Sequence, residues 1–288
     1  MTAGRSFTEV AADLEAEHTI HPLLALFAED ELVGRVRSGA TSAAVGLFRP
    51  NALFSLSQNP LQGIRDGADV VLDGGFQLTA PGAEVALVAV ALDGGVRLAL
   101  LPSDAAGVRV DGGVGAAVGA VLRGDALSEP VSLTEAGPVR AALADHAWRF
   151  AAFGARWCAG VIADLRRTLA VTGAGVRALS TSQYLAHELS KLEIEVNLAG
   201  LAAEHGAGSR AEATGGQAVA AVLLACTDLL HRTVVVAEDM TADLGLADTP
   251  VTRPGWPGRA VLAHFGGRRM VEAELARRMG LVTGGAYR

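Results

Sequence analysis

The sequence predicts an α+β protein in three parts: short N-terminal helices, a small antiparallel β-domain and a C-terminal four-helix bundle. Two changes of texture carry that expectation. Apolar residues recur at three- and four-residue steps up to about residue 40, and short apolar runs divided by Gly, Asp and Pro follow from about Ala43. The helical period returns from about Val139. The implied domains are residues 1–42, 43–138 and 139–288.

In the first part, Val10, Leu14, Leu23, Leu24, Leu26, Phe27, Leu32 and Val36 trace two or three short helices. The clearest β unit is Glu84 to Leu92, then Asp93-Gly94-Gly95, then Val96 to Leu101. Asp-Gly supplies the positive φ that a tight hairpin turn needs. Ala68 to Leu72, Gln77 to Thr79 and Val108 to Val110 complete the sheet. The glycines of Asp111 to Gly119 do not fall at G-x-G-x-x-G and no strand-turn-helix unit follows, so this run reads as a flexible edge of the β-domain.

Trp148, Ala152, Ala155, Val161, Leu165 and Leu169 form one helical stripe, and Leu185, Leu189, Leu192, Val196 and Ala199 form another. A third pattern runs from about Gln217 to Met240 and a shorter one from Arg268 to Met279, with links short enough to return each helix beside its predecessor. Glu204 to Gly216 reads as a mobile loop, and Thr249 to Gly258 as a stiff, proline-bearing connection.

Composition narrows the function. Half of the 288 residues are hydrophobic, enough to bury one large core or two smaller ones. The net charge is -7, and no Lys/Arg stripe exists to track phosphates, which argues against a nucleic-acid partner. Cys158 and Cys226 lie in apolar helical patterns with no metal-ligand spacing. They read as reduced core residues of a cytoplasmic protein, with no metal site expected. A polar, acidic start and the lack of an 18-residue apolar run predict neither export nor membrane insertion.

Several segments together resemble the acyl-CoA dehydrogenase family. Arg35 to Gly39 is similar to the stretch before that family's β-domain, and Asp73 to Gly82 with Val85 to Val90 to its central hairpin. Gln183-x-Leu185-x-His187-x-Leu189 is similar to its Gln-x-Val-x-His-x-Leu-Ala signature. The resemblance implies an FAD site and an acyl-thioester substrate, and the departures fall on those functions. Ala263 to Met270 resembles the segment carrying the family's catalytic glutamate, with Phe265 at the position of the base. Counting back from Gln183 puts Thr172 where the family has a flavin-diphosphate arginine, with Gly175 and Val176 in its Phe-Gly and Arg177-Ala178-Leu179 in its Arg-Pro-Ile. A neutral hydroxyl cannot replace the paired charge-assisted bonds of a guanidinium.

The family's glycine loop falls at Thr241 to Gly245, where Asp243 would repel a diphosphate. Its flavin-contacting Thr-Glu-Pro falls at Gly46-Leu47-Phe48-Arg49-Pro50. About 40 residues precede the β-domain, against a family domain on the order of 100, so the resemblance is to an N-terminally shortened member.

The candidate site residues follow. With Phe265 at the base position, the nearest acids at the family's second base location are Asp145, beside His146, and then Asp164. An acid near a helix start also serves simply as a charge favourable to the dipole. Arg177 and Gln183 are the candidate cofactor contacts, and Arg49 and Phe265 line the candidate substrate cleft. Glu238-Asp239 reads as a solvated helix end, His187 and His231 as packed histidines, and Ser180 to Ser182 as a helix N-cap.

Two functions compete. One is a diverged subunit, resembling the partner subunits of heteromeric actinobacterial acyl-CoA dehydrogenases, that lacks its own base and full flavin site. It would share FAD with a motif-intact partner through the C-terminal bundle, as part of a homo- or hetero-oligomer. The other is a flavin-independent cyclase or isomerase acting on a polyketide- or terpenoid-like molecule, which relies on shape and positioning.

Overall fold

The computed structural model describes residues 6–28, 30–47, 61–79, 82–111, 114–123, 127–131, 137–171, 183–208, 215–243 and 268–279. The chain divides into two compact units. One comprises Met1–Ala11 with Ala147–Gly258, the other Ala12–His146 with Arg259–Arg288.

The second unit is built on the sheet. Its strands are β1 (Ala43–Gly46), β2 (Leu61–Asp66), β3 (Asp69–Gln77), β4 (Val85–Leu92), β5 (Gly95–Pro102), β6 (Val108–Asp111) and β7 (Val114–Arg123). The β4–β5 hairpin forms as expected, with Asp93 at φ 53° and Gly94 at φ 75° in the turn and Leu92 paired to Gly95. β4 is buried along both faces, which explains its unbroken apolar run. One of its edges carries β5, and successive stretches of the other carry β1 and β2.

Two corrections concern this sheet. It is mixed, because β1 and β2 both run parallel to β4 while the other pairings are antiparallel. Parallel partners far apart in sequence leave no local turn signal. The run expected to be a flexible edge contributes β7, an interior strand between β3 and β6. Its Gly/Ala composition hides the period of two. Pairing passes from Leu72↔Ala120 to Asp73↔Val118, which leaves Gly119 as the extra residue of a bulge. Leu61, Val70, Leu72, Phe76, Val88, Val90 and Leu101 are at the centre of one apolar cluster on this sheet.

The N-terminal segment forms α1 (Phe7–Glu15), a π-helical turn (Ala16–Ile20), α2 (His21–Leu24) and α3 (Glu31–Arg37). Asp30 caps α3 by accepting from the Val33 N–H at 2.6 Å.

The three long helices are α4 (Pro138–Val171), α5 (Gln183–Gly208) and α6 (Gly215–Asp243). The shorter α7 (Arg268–Arg278) groups with the sheet unit. α4 is one helix whose first turns belong to the sheet unit. In the helical unit, Phe150, Ala151, Ala155, Cys158 and Ile162 of α4 are buried, as are Leu189, Leu192 and Val196 of α5 and Leu223, Cys226 and Leu230 of α6. Phe7 packs edge-on against Phe150 and Trp157, at centroid distances of 6.0 and 5.2 Å. Arg166 of α4 pairs with Glu193 of α5, and Arg232 of α6 with Glu195 of α5.

Ala218–Met240 has mean hydropathy 1.8 and is long and apolar enough to cross a membrane by length and composition. Here its apolar face is buried within the unit and Asp228 is exposed, as in a core helix. The link expected from Glu204 is helical as far as Gly208. Thr249 to Gly258 and Ser180 to Ser182 lie outside the described residues. His187 and His231 are exposed rather than packed, on the polar faces of their helices.

Candidate functional site

Polar side chains in the sheet unit gather where the N-terminal helix widens. Pro22 has no N–H to offer the His18 carbonyl and its ring crowds that oxygen, so a regular α-helix cannot run through this point. The chain answers with the π-turn, in which the His21 N–H reaches the Ala16 carbonyl. Glu15 sits at its start, half-buried, and Thr19 and Ile20 within it are fully buried.

The Glu15 carboxyl meets the end of the sheet. Its Oε1 accepts from the Thr79 hydroxyl and, at 3.3 Å, from the Val45 N–H. Thr79 holds the Val45 peptide from both sides: its N–H donates to the Val45 carbonyl at 3.1 Å, and its hydroxyl oxygen accepts from the Val45 N–H at 3.1 Å. Accepting from the amide directs the hydroxyl proton to Glu15. Burial pushes the Glu15 carboxyl up to about 7, and the Thr79 and Val45 bonds oppose it only in part.

Two histidines lie along the same helix–helix contact. His18 Nδ1 is 2.8 Å from Asp145 Oδ2. His146 is fully buried, with Nδ1 3.2 Å from the Leu14 carbonyl. A carbonyl only accepts, so Nδ1 carries the proton. Burial above all, then the charge of His18, drives the His146 pKa down to about 4, against the Leu14 bond and Asp145. His146 is therefore a neutral imidazole at ordinary pH. The hydroxyls of Thr19 and Thr41 are buried with no hydrogen-bond partner among the described residues, each costing on the order of 1–3 kcal/mol.

Of the residues singled out from sequence, Asp145 and His146 lie in this cluster. Asp145 is two turns into α4, beyond the first turn where a helix-dipole charge acts, and is engaged by His18. Gln183 opens α5, but its side chain is outside the described residues, as are Arg49, Thr172 to Arg177 and Phe265. Asp164 pairs with Arg167 at 2.8 Å on the surface of α4. Glu15, His18 and Thr79 were missed, and Pro22 inside a helical pattern was the available signal. Among the described residues no three His, Cys, Asp or Glu side chains gather to hold a metal ion.

The arrangement of helices, sheet and helices recurs in solved structures. An FAD-dependent dehydrogenase superposes with a TM-score of 0.73 at 15% identity, covering 96% of this chain and 80% of its own. A glutaryl-CoA dehydrogenase from Mycobacterium smegmatis gives 0.70 at 19% identity, covering 99% and 82%. The ChsE4-ChsE5 complex from Mycobacterium tuberculosis gives 0.71 at 19% identity, covering 94% and 76%. The fold is that of the acyl-CoA dehydrogenases. No family model matches the sequence, and no curated protein does.

An acyl-CoA dehydrogenase fold makes a flavin plausible, and Phe48 to Pro50 and Thr172 to Arg177, where the resemblance places flavin contacts, lie outside the described residues. At the start of the Gly46 to Pro50 stretch the Val45 N–H is already held by Glu15 and Thr79. Phe76 closes one face of Gly46, where a Cβ would stand 2.7 Å from its ring.

Proposed function

We propose that this chain is a subunit of an acyl-CoA dehydrogenase-like oligomer, acting on an acyl thioester with a flavin held mainly by a motif-intact partner subunit in the cytoplasm. The observation that carries the reading is a bare apolar stripe on α5. Ile194, Leu198 and Leu201, at steps of four and three, are 60%, 61% and 65% exposed. A contiguous apolar strip on a helix of the long-helix unit is what a subunit interface leaves when one protomer stands alone. The ChsE4-ChsE5 neighbour is itself a complex. Loss of the base at Phe265 and of the flavin arginine at Thr172 is part of the same reading.

The test is the visible spectrum of the purified chain after excess FAD has been added and removed. A colourless chain that takes up flavin only with a dehydrogenase partner supports the proposal. Stoichiometric flavin on the chain alone sinks it. A flavin-independent isomerase or cyclase is the second reading, favoured by the enclosed Glu15 carboxyl with its pKa raised to about 7.

A further inference from the structure

We propose that α5 pairs face to face with the α5 of a second copy of this chain, antiparallel about a two-fold axis at Leu198, so that Leu201 of each copy fills a recess between α4 and α5 of the other. This rests on the reading of α5 as a subunit face and goes beyond it by naming the occupant and the register. The recess measures about 250 Å³ and is lined by Ile162, Ala163 and Arg166 of α4 and by Glu193, Val196 and Asn197 of α5. Its floor, Ile162 and Val196, is buried and apolar. Arg166 closes one end by pairing with Glu193 through both of its terminal nitrogens. Toward the other end the two helices draw together, and a Cβ on Gly200 would stand 3.8 Å from the Ala155 Cβ. Clefts that take a drug-sized molecule or a cofactor run to roughly 300–1,000 Å³, so this one suits a single side chain.

Ridge and recess share one helix. At about 100° per residue, Asn197 and Glu193 lie about 60° and 100° to the α4 side of Ile194, and Leu201 lies about 60° to that same side of Leu198. A two-fold contact brings a patch against itself. An axis perpendicular to α5 also sets the α4 side of one copy opposite the α4 side of the other. With the axis at Leu198, Leu201 of one copy comes level with Glu195 of the other, midway between the recess residues Glu193 and Asn197. Leu201 therefore enters the recess in both directions, Leu198 meets its own copy, and Ile194 packs beside the second copy's Leu201. A projecting side chain and the hollow that receives it, set at equal distances from one point on one helix, are what self-pairing needs.

The charges agree with this register. On the α4 side the exposed Glu204 of one copy comes beside Glu193 and Arg166 of the other. Arg166 gives two of its five N–H groups to Glu193, which leaves donors to hold a second carboxylate between the two acids. On the opposite side Lys191 and Glu195 come beside His205 and Ala202 of the second copy, so no two acids meet there.

The experiment uses the full-length chain. Light scattering across a concentration series should show a dimer. Leu198→Cys should form a disulfide-linked dimer in oxidised glutathione, because residue 198 faces its own copy while Cys158 and Cys226 are buried. Ile64→Cys, on an exposed position of β2, should not. Ala163→Phe fills the recess without touching the ridge and should weaken the dimer by about tenfold or more. Glu204→Lys should weaken it at low salt and lose that effect at high salt. A monomeric wild-type chain, or a dimer that neither crosslinks at Leu198→Cys nor responds to Ala163→Phe, would overturn the proposal. A monomer that takes up flavin with a dehydrogenase partner overturns self-pairing and leaves the subunit reading standing. A dimer crosslinked at Leu198→Cys that holds stoichiometric flavin by itself upholds self-pairing and sinks that reading.

Discussion

At the scale of single residues, Glu15 and His146 show how burial, the largest cause in each case, moves an acid and a base in opposite directions within one cluster. Both are pushed toward their neutral forms, which raises the pKa of the acid and lowers that of the base. The two effects on stability have opposite signs with pH. Between 4.5 and about 7 the unfolded chain ionises Glu15 while the folded chain keeps its proton, so stability falls as pH rises through that window. Between about 4 and 6.5 the unfolded chain protonates His146 while the folded chain does not, so that contribution is lost as pH falls.

Glu15→Gln isolates the first effect, since His146 contributes equally to both proteins. The variant should match the wild type near pH 4.5 and exceed it by ~1–3 kcal/mol above pH 7, in urea unfolding followed across that range. Equal stability at both ends would mean that the carboxyl is solvated as an ordinary surface acid. None of this was legible in sequence, because Glu15 meets partners 30 and 64 residues away. Asp145, with His146 beside it, stands out in the sequence because it falls at the family's second base location, but their partners, His18 and the Leu14 carbonyl, do not.

At the scale of elements, what could be read from the chain depended on whether the deciding contact was local. The β4–β5 hairpin was legible because a turn residue with positive φ and an apolar run are both written in consecutive positions. The parallel β1–β4 pairing was not, since Ala43 and Val85 meet only through the fold. Glycines divide in the same way. Gly34 in α3 has nothing within 4 Å of a built Cβ, so Gly34→Ala should stabilise through helix propensity, by about 0.5–1 kcal/mol.

At Gly154 in α4 a Cβ would stand 2.6 Å from Cys226 Sγ and 3.5 Å from Leu230 Cδ1. Cys226 is buried and its thiol points at the Ala151 carbonyl, 3.8 Å away, so it has little room to retreat. An overpacking cost of 1–3 kcal/mol there exceeds the propensity gain. Gly154→Ala should lower the Tm while Gly34→Ala raises it, and Cys226→Ala should partly rescue the former in a double-mutant cycle. Additive effects at residues 154 and 226 would show that α4 and α6 do not approach as described.

At the scale of the whole molecule, the question is what covers α5. Ile194, Leu198 and Leu201 are each about three-fifths exposed. Full burial of such side chains is worth ~1.5–3 kcal/mol apiece, so covering the exposed part of all three contributes ~3–5 kcal/mol. Association costs at least ~4 kcal/mol in lost freedom, so the stripe cannot hold a complex alone and must be the centre of a wider contact. It can still decide whether one forms, since each 1.4 kcal/mol is tenfold in affinity.

Replacing the three with Asp should therefore weaken self-association, or capture of a dehydrogenase partner, by about 100-fold or more while the folded protomer stays intact. Mass measured by light scattering across a concentration series reads the first case. Retention of flavin absorbance after co-purification reads the second. An unchanged mass and unchanged partner capture would place the interface elsewhere and remove the observation on which the subunit reading stands.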